Sequence, residues 1–403
     1  MTSRTAVIIA LHDLHRNSRV LKQAKTLREA GFHVTAVGIV RRSTDKLEQP
    51  TAFGRILRVR TTERLHAEQV EGAEVTVRSV ARRRSAVAGV RMFLGRMREN
   101  AMLAKTAAAV GPDVLIASDL SAWAAGVWAK RKTRAPLICD ARDLVTDSGR
   151  PEPPPYMWLL RNVEAWASRR ADAVTAVTPL MADVLAKRYP AARVRGFHYN
   201  GPMRCLGAVE PQVQTPLRLL FQGNLVPNRS VDVMIKAAAE LGGAAVLTIQ
   251  GFGQLTGELR ELVEDLGVQE FVRFVEPCMP DEVADHASRH DIGLVSNWDD
   301  TLNMRVTVGT KLFDYISGGL AVVASDLPMY RALVEEAECG VLFDPRNPDA
   351  LVNVLRSLVD NPAEVLRMKR NAVIACPRYS WDVQGARFLE VVESVMAGET
   401  RGE

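Results

Sequence analysis

The chain predicts an α/β protein built as two doubly wound domains facing each other across a cleft, and three observations carry that prediction. Apolar runs of strand length alternate with helix-patterned stretches from end to end, as in parallel sheets covered by helices on both faces. The rhythm breaks at about residues 200–216, NGPMRCLGAVEPQVQTP, a Gly-, Pro- and polar-rich stretch that reads as a linker. The length of 403 residues also exceeds what one core usually sustains.

The elements follow in order. TAVIIAL reads as the first strand, and RVLKQAKTLREAG as a helix, by its apolar spacing and its closing glycine. FHVTAVGIV, DVLIAS, APLICDA and ADAVTAVT are further strands, each followed by a loop or helical segment. Beyond the break the alternation restarts with LRLLFQG, AAVLTIQGFG, FVRFVEP, DIGLVS and LAVVASD.

Composition narrows the class. With 25% charged and 47% apolar residues the chain is an ordinary globular protein. Its five cysteines, Cys139, Cys205, Cys278, Cys339 and Cys376, form no CxxC and no Cys/His cluster. That argues against a disulfide framework or a structural zinc, and fits a reducing cytosol. The start, MTSRTAVIIALHDLHR, reads as a strand rather than a signal peptide. No run approaches the roughly 18 apolar residues that span a bilayer.

Charge is unevenly shared. Residues 1–204 hold 35 Lys/Arg against 18 Asp/Glu, and the rest hold 17 against 29. The densest basic stretch carries Arg78, Arg82, Arg83, Arg84, Arg91, Arg96 and Arg98, with Met92, Phe93, Leu94 and Met97 interleaved. An amphipathic basic helix there fits either an anionic lipid surface or a solvated face. No nucleic-acid partner is expected, because no recognition motif accompanies the charge.

Each candidate polar group of the second half sits just past a strand, where ligands bind in such sheets. In VGTKLFDYISGGLAVVASD, Gly309, Thr310, Lys311 and Asp314 stand at the mouth of a helix. Two readings are open: a phosphate held by backbone N–H groups and Lys311, or a plain helix capped by Thr310. LFQGNLVPNRS supplies Gly223, Asn224 and Arg229, and LTIQGFGQL supplies Gly251 and Gly253. That G-x-G lacks the third glycine of a dinucleotide fingerprint. In VRFVEPCMP, Cys278 and Met279 can line a flat, mostly apolar slot.

Singly these are turn glycines, a surface arginine and a packed cysteine. Gathered on one sheet edge they suit a nucleoside diphosphate: cations and a helix start for the phosphates, Asp314 for ribose hydroxyls, the Cys278 loop for the base. No metal ion or other cofactor is required. In the first half, His12 and His15 follow the first strand, where a histidine can move protons or simply face solvent. Trp298 can pack on a sugar or cover the sheet.

The second half resembles the donor domain of the GT-B glycosyltransferases of family 4, the retaining nucleotide-sugar enzymes. The resemblance rests on FQGNLVPNRSVDVMIKA, IQGFG, VRFVEPCMPDEV, NMRVTVGTKLFDYISGGLAVVASD and GVLFDP. It implies Gly223 and Arg229 on the diphosphate and Asp314 on the ribose. Asp314 takes the second of two acid positions separated by seven residues; Val306 takes the first, where an acid commonly touches the donor sugar. A branch of the family with a KLFEY helix shares that replacement.

The first half resembles the family's acceptor domain on HDLHRNSRVLKQAKTLREAGFHVTAV, LIASDLSAW and LICDARDLVTD. Ser118 and Arg142 stand where many relatives have histidine, while Asp119, Asp140 and Asp143 remain. The resemblance thus implies Asp119, Arg142 and Asp143 as catalytic candidates, with His12, Asp13 and Arg19 on the acceptor side. SWDVQGARFLEVVESV resembles the closing helix that returns to the first domain. The implied organisation is a Rossmann-like acceptor domain over 1–204, a Rossmann-like donor domain over 205–380, and a final helix within 381–403.

The expectation is a cytosolic glycosyltransferase moving a sugar from a UDP- or GDP-linked donor to an acceptor hydroxyl with retention, in cell-envelope polysaccharide or glycoconjugate synthesis. The acceptor is a sugar, a lipid-linked molecule or a small molecule, and an anionic membrane surface is a further partner for the basic half. Two alternatives stand beside it. One is a nucleotide-sugar binder without turnover, which the replaced histidines and Val306 favour. The other is a nucleotide-sugar epimerase of the same architecture.

Overall fold

In the first half, the apolar runs become parallel strands wherever they are bounded by turns and covered by helices. The computed structural model describes residues 4–11, 14, 17–40, 46–52, 54–60, 85–149, 152–206, 210–279 and 282–398. His12, Asp13, His15 and the arginines at 78 and 82–84 lie outside the described residues. The chain divides into two compact units, Met1–Tyr199 with Gln384–Glu403, and Asn200–Val383.

The first unit begins β1 (Arg4–Ala10), α1 (Ser18–Glu29), β2 (Phe32–Ile39), β3 (Glu48–Thr51) and β4 (Gly54–Val59). It continues α2 (Ala86–Ala109), β5 (Val114–Ser118), α3 (Leu120–Thr133), β6 (Leu137–Ala141), α4 (Pro154–Ser168), β7 (Ala173–Ala176), α5 (Pro179–Arg188) and β8 (Val194–Phe197). Among the described residues its sheet runs β3-β4-β2-β1-β5-β6-β7-β8. All pairings are parallel except β3 with β4. Strands β5 and β6 are wholly buried and β1 is buried from Ala6 onward, which explains their apolar character. The helix α1 is capped by Asn17, whose side chain accepts from the Val20 N–H. Gly31 beyond its end takes φ +85°, the left-handed turn its sequence predicts.

The second unit comprises β9 (Leu217–Gln222), α6 (Val231–Glu240), β10 (Ala245–Gln250), α7 (Thr256–Asp265), β11 (Val272–Val275), α8 (Val283–Ala287) and β12 (Ile292–Val295). Then come α9 (Leu302–Val306), α10 (Thr310–Ser317), β13 (Ala321–Ser325), α11 (Pro328–Ala337), β14 (Gly340–Phe343), α12 (Pro348–Asp360) and α13 (Pro362–Tyr379). Its described strands form a parallel sheet, β11-β10-β9-β12-β13-β14. The order reverses at β9, between β10 and β12, the place where such sheets open a crevice for ligands.

A final helix, α14 (Trp381–Met396), closes the chain. Its Phe388, Val392 and Val395 join the core built by Ala6, Ile8, Val20 and Leu27 of the first unit.

Three sequence expectations need correction here. The described residues of the stretch read as a linker, 200–206 and 210–216, are bound along the second unit: the Leu206 N–H donates to the Ser317 carbonyl, and the Gln214 N–H to the Asp291 carboxylate. Its Pro and Gly content excludes helix and strand but not tertiary hydrogen bonds. Cysteine spacing hides a pairing: Cys205 is disulfide-bonded to Cys376, 171 residues away. Tertiary folding, which a spacing pattern cannot show, brings their Cα atoms to 5.9 Å.

The third correction concerns Arg19, expected on the acceptor side. Its side chain is fully buried, with Nε and Nη2 each donating to the Asp140 carboxylate at 2.7 Å and Nη1 donating to the His198 carbonyl. Gln23 and Thr175 also donate to Asp140. Burial opposes ionisation of Asp140, yet the Arg19 guanidinium holds its carboxyl well below the usual range. Burial and the nearby Arg19 charge push His198 down to about 3, so its ring is neutral beside this pair. Arg19 is thus a structural clamp joining α1, β6 and the end of β8.

Removing one partner of such a pair strands a buried charge. Arg19→Met is expected to destabilise the first unit by about 3–5 kcal/mol, read as a lowered urea midpoint. An unchanged midpoint would show the pair contributes nothing.

Candidate functional site

The site of the second unit is shaped by the way β9 and β12 part. They are in register only at Leu219 with Ile292 and Leu220 with Gly293. Beyond that, the buried Tyr315 of α10 bridges them: its hydroxyl accepts from the Gln222 N–H at 2.9 Å and donates to the Leu294 carbonyl at 3.3 Å. Gly293 makes room, since a Cβ there would enter the Tyr315 ring. The helix is thereby pinned with its first turn at the carboxyl end of β9.

That first turn is open. Gly309 occupies the cap position of α10, and among the described residues no side chain caps the helix. Of the two readings left open, the helix capped by Thr310 is not met: Thr310 is the first helical residue. Lys311 runs back over β9, its Nζ 4.5 Å from the Phe221 ring centre. A Cβ on Gly223 would lie 2.7 Å from that nitrogen and push the lysine aside, and the φ of +133° itself favours glycine here. Gly251, at φ +152°, has a parallel reason, because a Cβ there would overlap the Gly223 carbonyl. Gly253 likewise lies against the Leu225 backbone. The two loops continue the ladder past the strands, through Gly223 N–H to Gln250 and Leu225 N–H to Phe252.

Arg229 ends a short 3₁₀ turn, Pro227–Arg229, and its guanidinium donates to the Asn297 Oδ1. Asn297 in turn donates through Nδ2 to the Tyr330 hydroxyl, which also accepts from the Gly309 N–H at 3.2 Å. Burial, followed by the neighbouring Arg229 charge, pushes Lys311 down to about 7, against a smaller opposing effect of Asp314. Cys278 is half-buried with its thiol pushed up, chiefly by burial. Met279 is exposed, and so is Asn224. Trp298 donates to the Ser230 hydroxyl at 2.6 Å, on the turn that follows Arg229.

Gly223, Gly251, Arg229, Gly309, Lys311 and Asp314 therefore come together, while Asn224 is exposed beside Gly223 and Thr310 opens α10. Sequence reasoning missed Phe221, Asn297, Tyr315 and Tyr330. Asn297 follows β12 and was open to the same strand-end rule, whereas the two tyrosines look like core residues in sequence. Val306 ends α9 and is buried.

In the first unit, Asp119 follows β5 and accepts from the Leu120 N–H at 2.9 Å as cap of α3. It holds φ 68° and ψ 153°, a region that costs a non-glycine residue about 1–3 kcal/mol. Its own N–H donates to the Asp140 carbonyl at 2.8 Å. Arg142 and Asp143, half-buried, follow β6, so these three candidates lie at the ends of adjacent strands.

Comparison with known proteins adds to this picture. Residues 17–200 match the family described as Glycosyl transferase 4-like domain, and residues 208–373 the family Glycosyl transferases group 1. The chain is 30% identical over 185 residues to a D-inositol 3-phosphate glycosyltransferase of Thermomonospora curvata, covering 43% of this chain and 42% of that one. Another such enzyme, from Catenulispora acidiphila, is 28% identical over 251 residues, covering 57% and 58%. The matches thus span less than two thirds of these relatives. Among solved structures, sucrose-phosphate synthase from Thermosynechococcus elongatus superposes with a TM-score of 0.73 at 16% identity, over 98% of this chain and 100% of that one. Anabaena HepE in complex with UDP-glucose gives 0.70 at 15%, over 97% and 99%. At these identities the likeness is one of fold.

The Lys311 environment has a measurable sign. Its folded-state value lies below the unfolded one, so between about 7 and 10.5 the unfolded chain binds the extra proton and stability rises with pH. Lys311→Met is expected to be more stable than the natural protein below about pH 7, the difference shrinking as pH climbs toward 10.5. Parallel urea titrations at several pH values check this; a pH-independent difference would refute it.

Proposed function

Because the chain belongs to the GT-B glycosyltransferases of group 1, we propose that it transfers a sugar from a nucleoside diphosphate donor to an acceptor hydroxyl. The donor binds at the carboxyl edge of the second unit's sheet. The observation that carries this is the pairing of two cations, Arg229 and Lys311, at an uncapped helix start beside Gly223. In the reaction the bond from the anomeric carbon to the phosphate oxygen breaks, one to the acceptor oxygen forms, and the acceptor's hydroxyl proton passes to the released diphosphate. The departing diphosphate gains negative charge, which Arg229, Lys311 and the helix start stabilise. Asp314 accepts from the ribose hydroxyls, and the Cys278–Met279 loop faces the base. UDP is the favoured nucleotide, in view of the solved relatives bound to UDP or UDP-glucose.

The acceptor is assigned to the first unit, with Asp119, Arg142 and Asp143 nearest the chemistry. The strained backbone of Asp119 supports a functional position. The relatives named for D-inositol 3-phosphate, together with the basic first half, favour an acceptor bearing phosphate. Retention of configuration and a role in envelope polysaccharide or glycoconjugate synthesis follow from the family likeness. Val306, buried where an acid is common, supports the second reading of a nucleotide-sugar binder without turnover.

The exposed face of α2 carries Val87, Val90, Leu94 and Met102 beside Arg91 and Arg98. Met92, Phe93 and Met97 are half-buried, and Arg96 is paired with Glu99 at 3.0 Å. No described helix is long and apolar enough to cross a membrane. An anionic lipid surface fits this mix of apolar and basic side chains.

Three measurements follow. Calorimetry should show binding of UDP or GDP in preference to ADP, with Arg229→Ala and Lys311→Ala each weakening it roughly 10- to 100-fold without loss of folding. Release of the nucleoside diphosphate from its nucleotide sugar in the presence of acceptors separates transferase from binder. Co-sedimentation should show the protein on phosphatidylglycerol-containing vesicles, released by salt and weakened by Arg91→Glu with Arg98→Glu. Equal partition onto neutral vesicles would exclude the lipid surface.

A further inference from the structure

Tyr330 belongs to neither cation of the proposed site, yet its hydroxyl stands between the two groups that frame it. The residue lies in the first turn of α11, just after β13, and is 2% exposed. Its hydrogen bonds can be assigned without ambiguity from donor chemistry. The Arg229 guanidinium can only donate, so the Asn297 oxygen must face it and the Asn297 amide nitrogen must face Tyr330. The Gly309 N–H can likewise only donate. The Tyr330 oxygen therefore receives two protons, which fills both of its acceptor positions.

Its own proton remains to be placed. Burial pushes the phenol up, so it keeps that proton at neutral pH. The Arg229 guanidinium and the start of α10, the two features proposed to meet a bound diphosphate, are joined by a chain of hydrogen bonds through this oxygen. We propose that Tyr330 donates its hydroxyl proton to a phosphate oxygen of the nucleoside diphosphate, and that Asn297 is the positioning residue that orients both Arg229 and Tyr330. The inference rests on the donor site argued above. It adds a neutral, buried donor to the two cations, and a hydrogen bond to a charged acceptor in a dry setting is a strong one. Because Asn297 and Gly309 saturate the oxygen, the hydroxyl has a single direction left for its proton, and the donor is preorganised before the ligand arrives.

The test uses the full chain with UDP and GDP as probes and uridine and guanosine as phosphate-free controls. Tyr330→Phe is expected to weaken binding of the nucleoside diphosphate about 10- to 100-fold, with nucleoside binding unchanged. Because the phenylalanine also removes an acceptor from Gly309 and Asn297, a second variant isolates the donated proton. Replacing Tyr330 with 3-fluorotyrosine makes the hydroxyl a better donor and a poorer acceptor. Tighter or unchanged nucleoside diphosphate binding is the expected result; weaker binding would mean that the hydroxyl only accepts, and would overturn the proposal. Unaltered affinity in Tyr330→Phe, with the natural protein binding UDP or GDP, would also overturn it while leaving the donor site standing. If the natural protein binds neither nucleotide, the donor site itself falls, and this assignment with it.

Discussion

A single phenol at the point where two strands part governs the geometry of the second unit. Parallel strands that diverge leave backbone groups without ladder partners, and each such group costs free energy if it stays unpaired. Tyr315 meets both needs at once, taking the Gln222 N–H and serving the Leu294 carbonyl. The consequence is positional as much as energetic. Because the ring lies on Gly293 in the sheet, the helix that carries it cannot slide, and its first residues are delivered to the end of β9. Lys311 then crosses Gly223, and Gly309 meets Tyr330.

Around that fixed helix the charges are arranged against the interest of the empty protein. Lys311 is desolvated and faces a second cation, with Asp314 only partly offsetting the repulsion. A doubly charged anion would relieve both costs together, because it restores the partners that water supplied in the unfolded chain. Arg229 avoids a similar burden by leaning on Asn297 rather than on an acid, which leaves its charge uncancelled. The first unit shows the opposite choice. There Arg19 and Asp140 neutralise one another completely in the core, and the pair is spent on architecture.

The contrast explains what could be read from sequence and what could not. Long apolar runs such as TAVIIAL and LAVVASD announce buried parallel strands, and they appear as β1 and β13. The elements β3, β4 and β8 were not foreseen; EQPT and VRGF bury no residue and so carry no apolar run. Glycines and cations at strand ends were legible because backbone approach and charge leave few alternatives. Arg19 was misread because an arginine near a sheet edge looks the same in sequence whether it meets a ligand or a buried aspartate. Asn297 and Tyr330 were missed because their role depends on hydrogen-bond direction across three separate segments. The Cys205–Cys376 bond was invisible for a related reason: partners so distant in the chain meet only through the fold.

The path of the chain has a genetic meaning. Unit two is one uninterrupted segment, Asn200–Val383, whereas unit one is completed only when the C-terminal helix supplies Phe388 and Val392. In topological language the former is an insert carried within the latter. At its borders, the Tyr199 N–H donates to the Gln384 side chain at 3.0 Å, so entry and exit of the insert meet at one spot. A short graft joining those two positions would excise the insert and leave the host with all of its core-forming residues, while any host fragment stopping at Tyr199 would carry a bare apolar face.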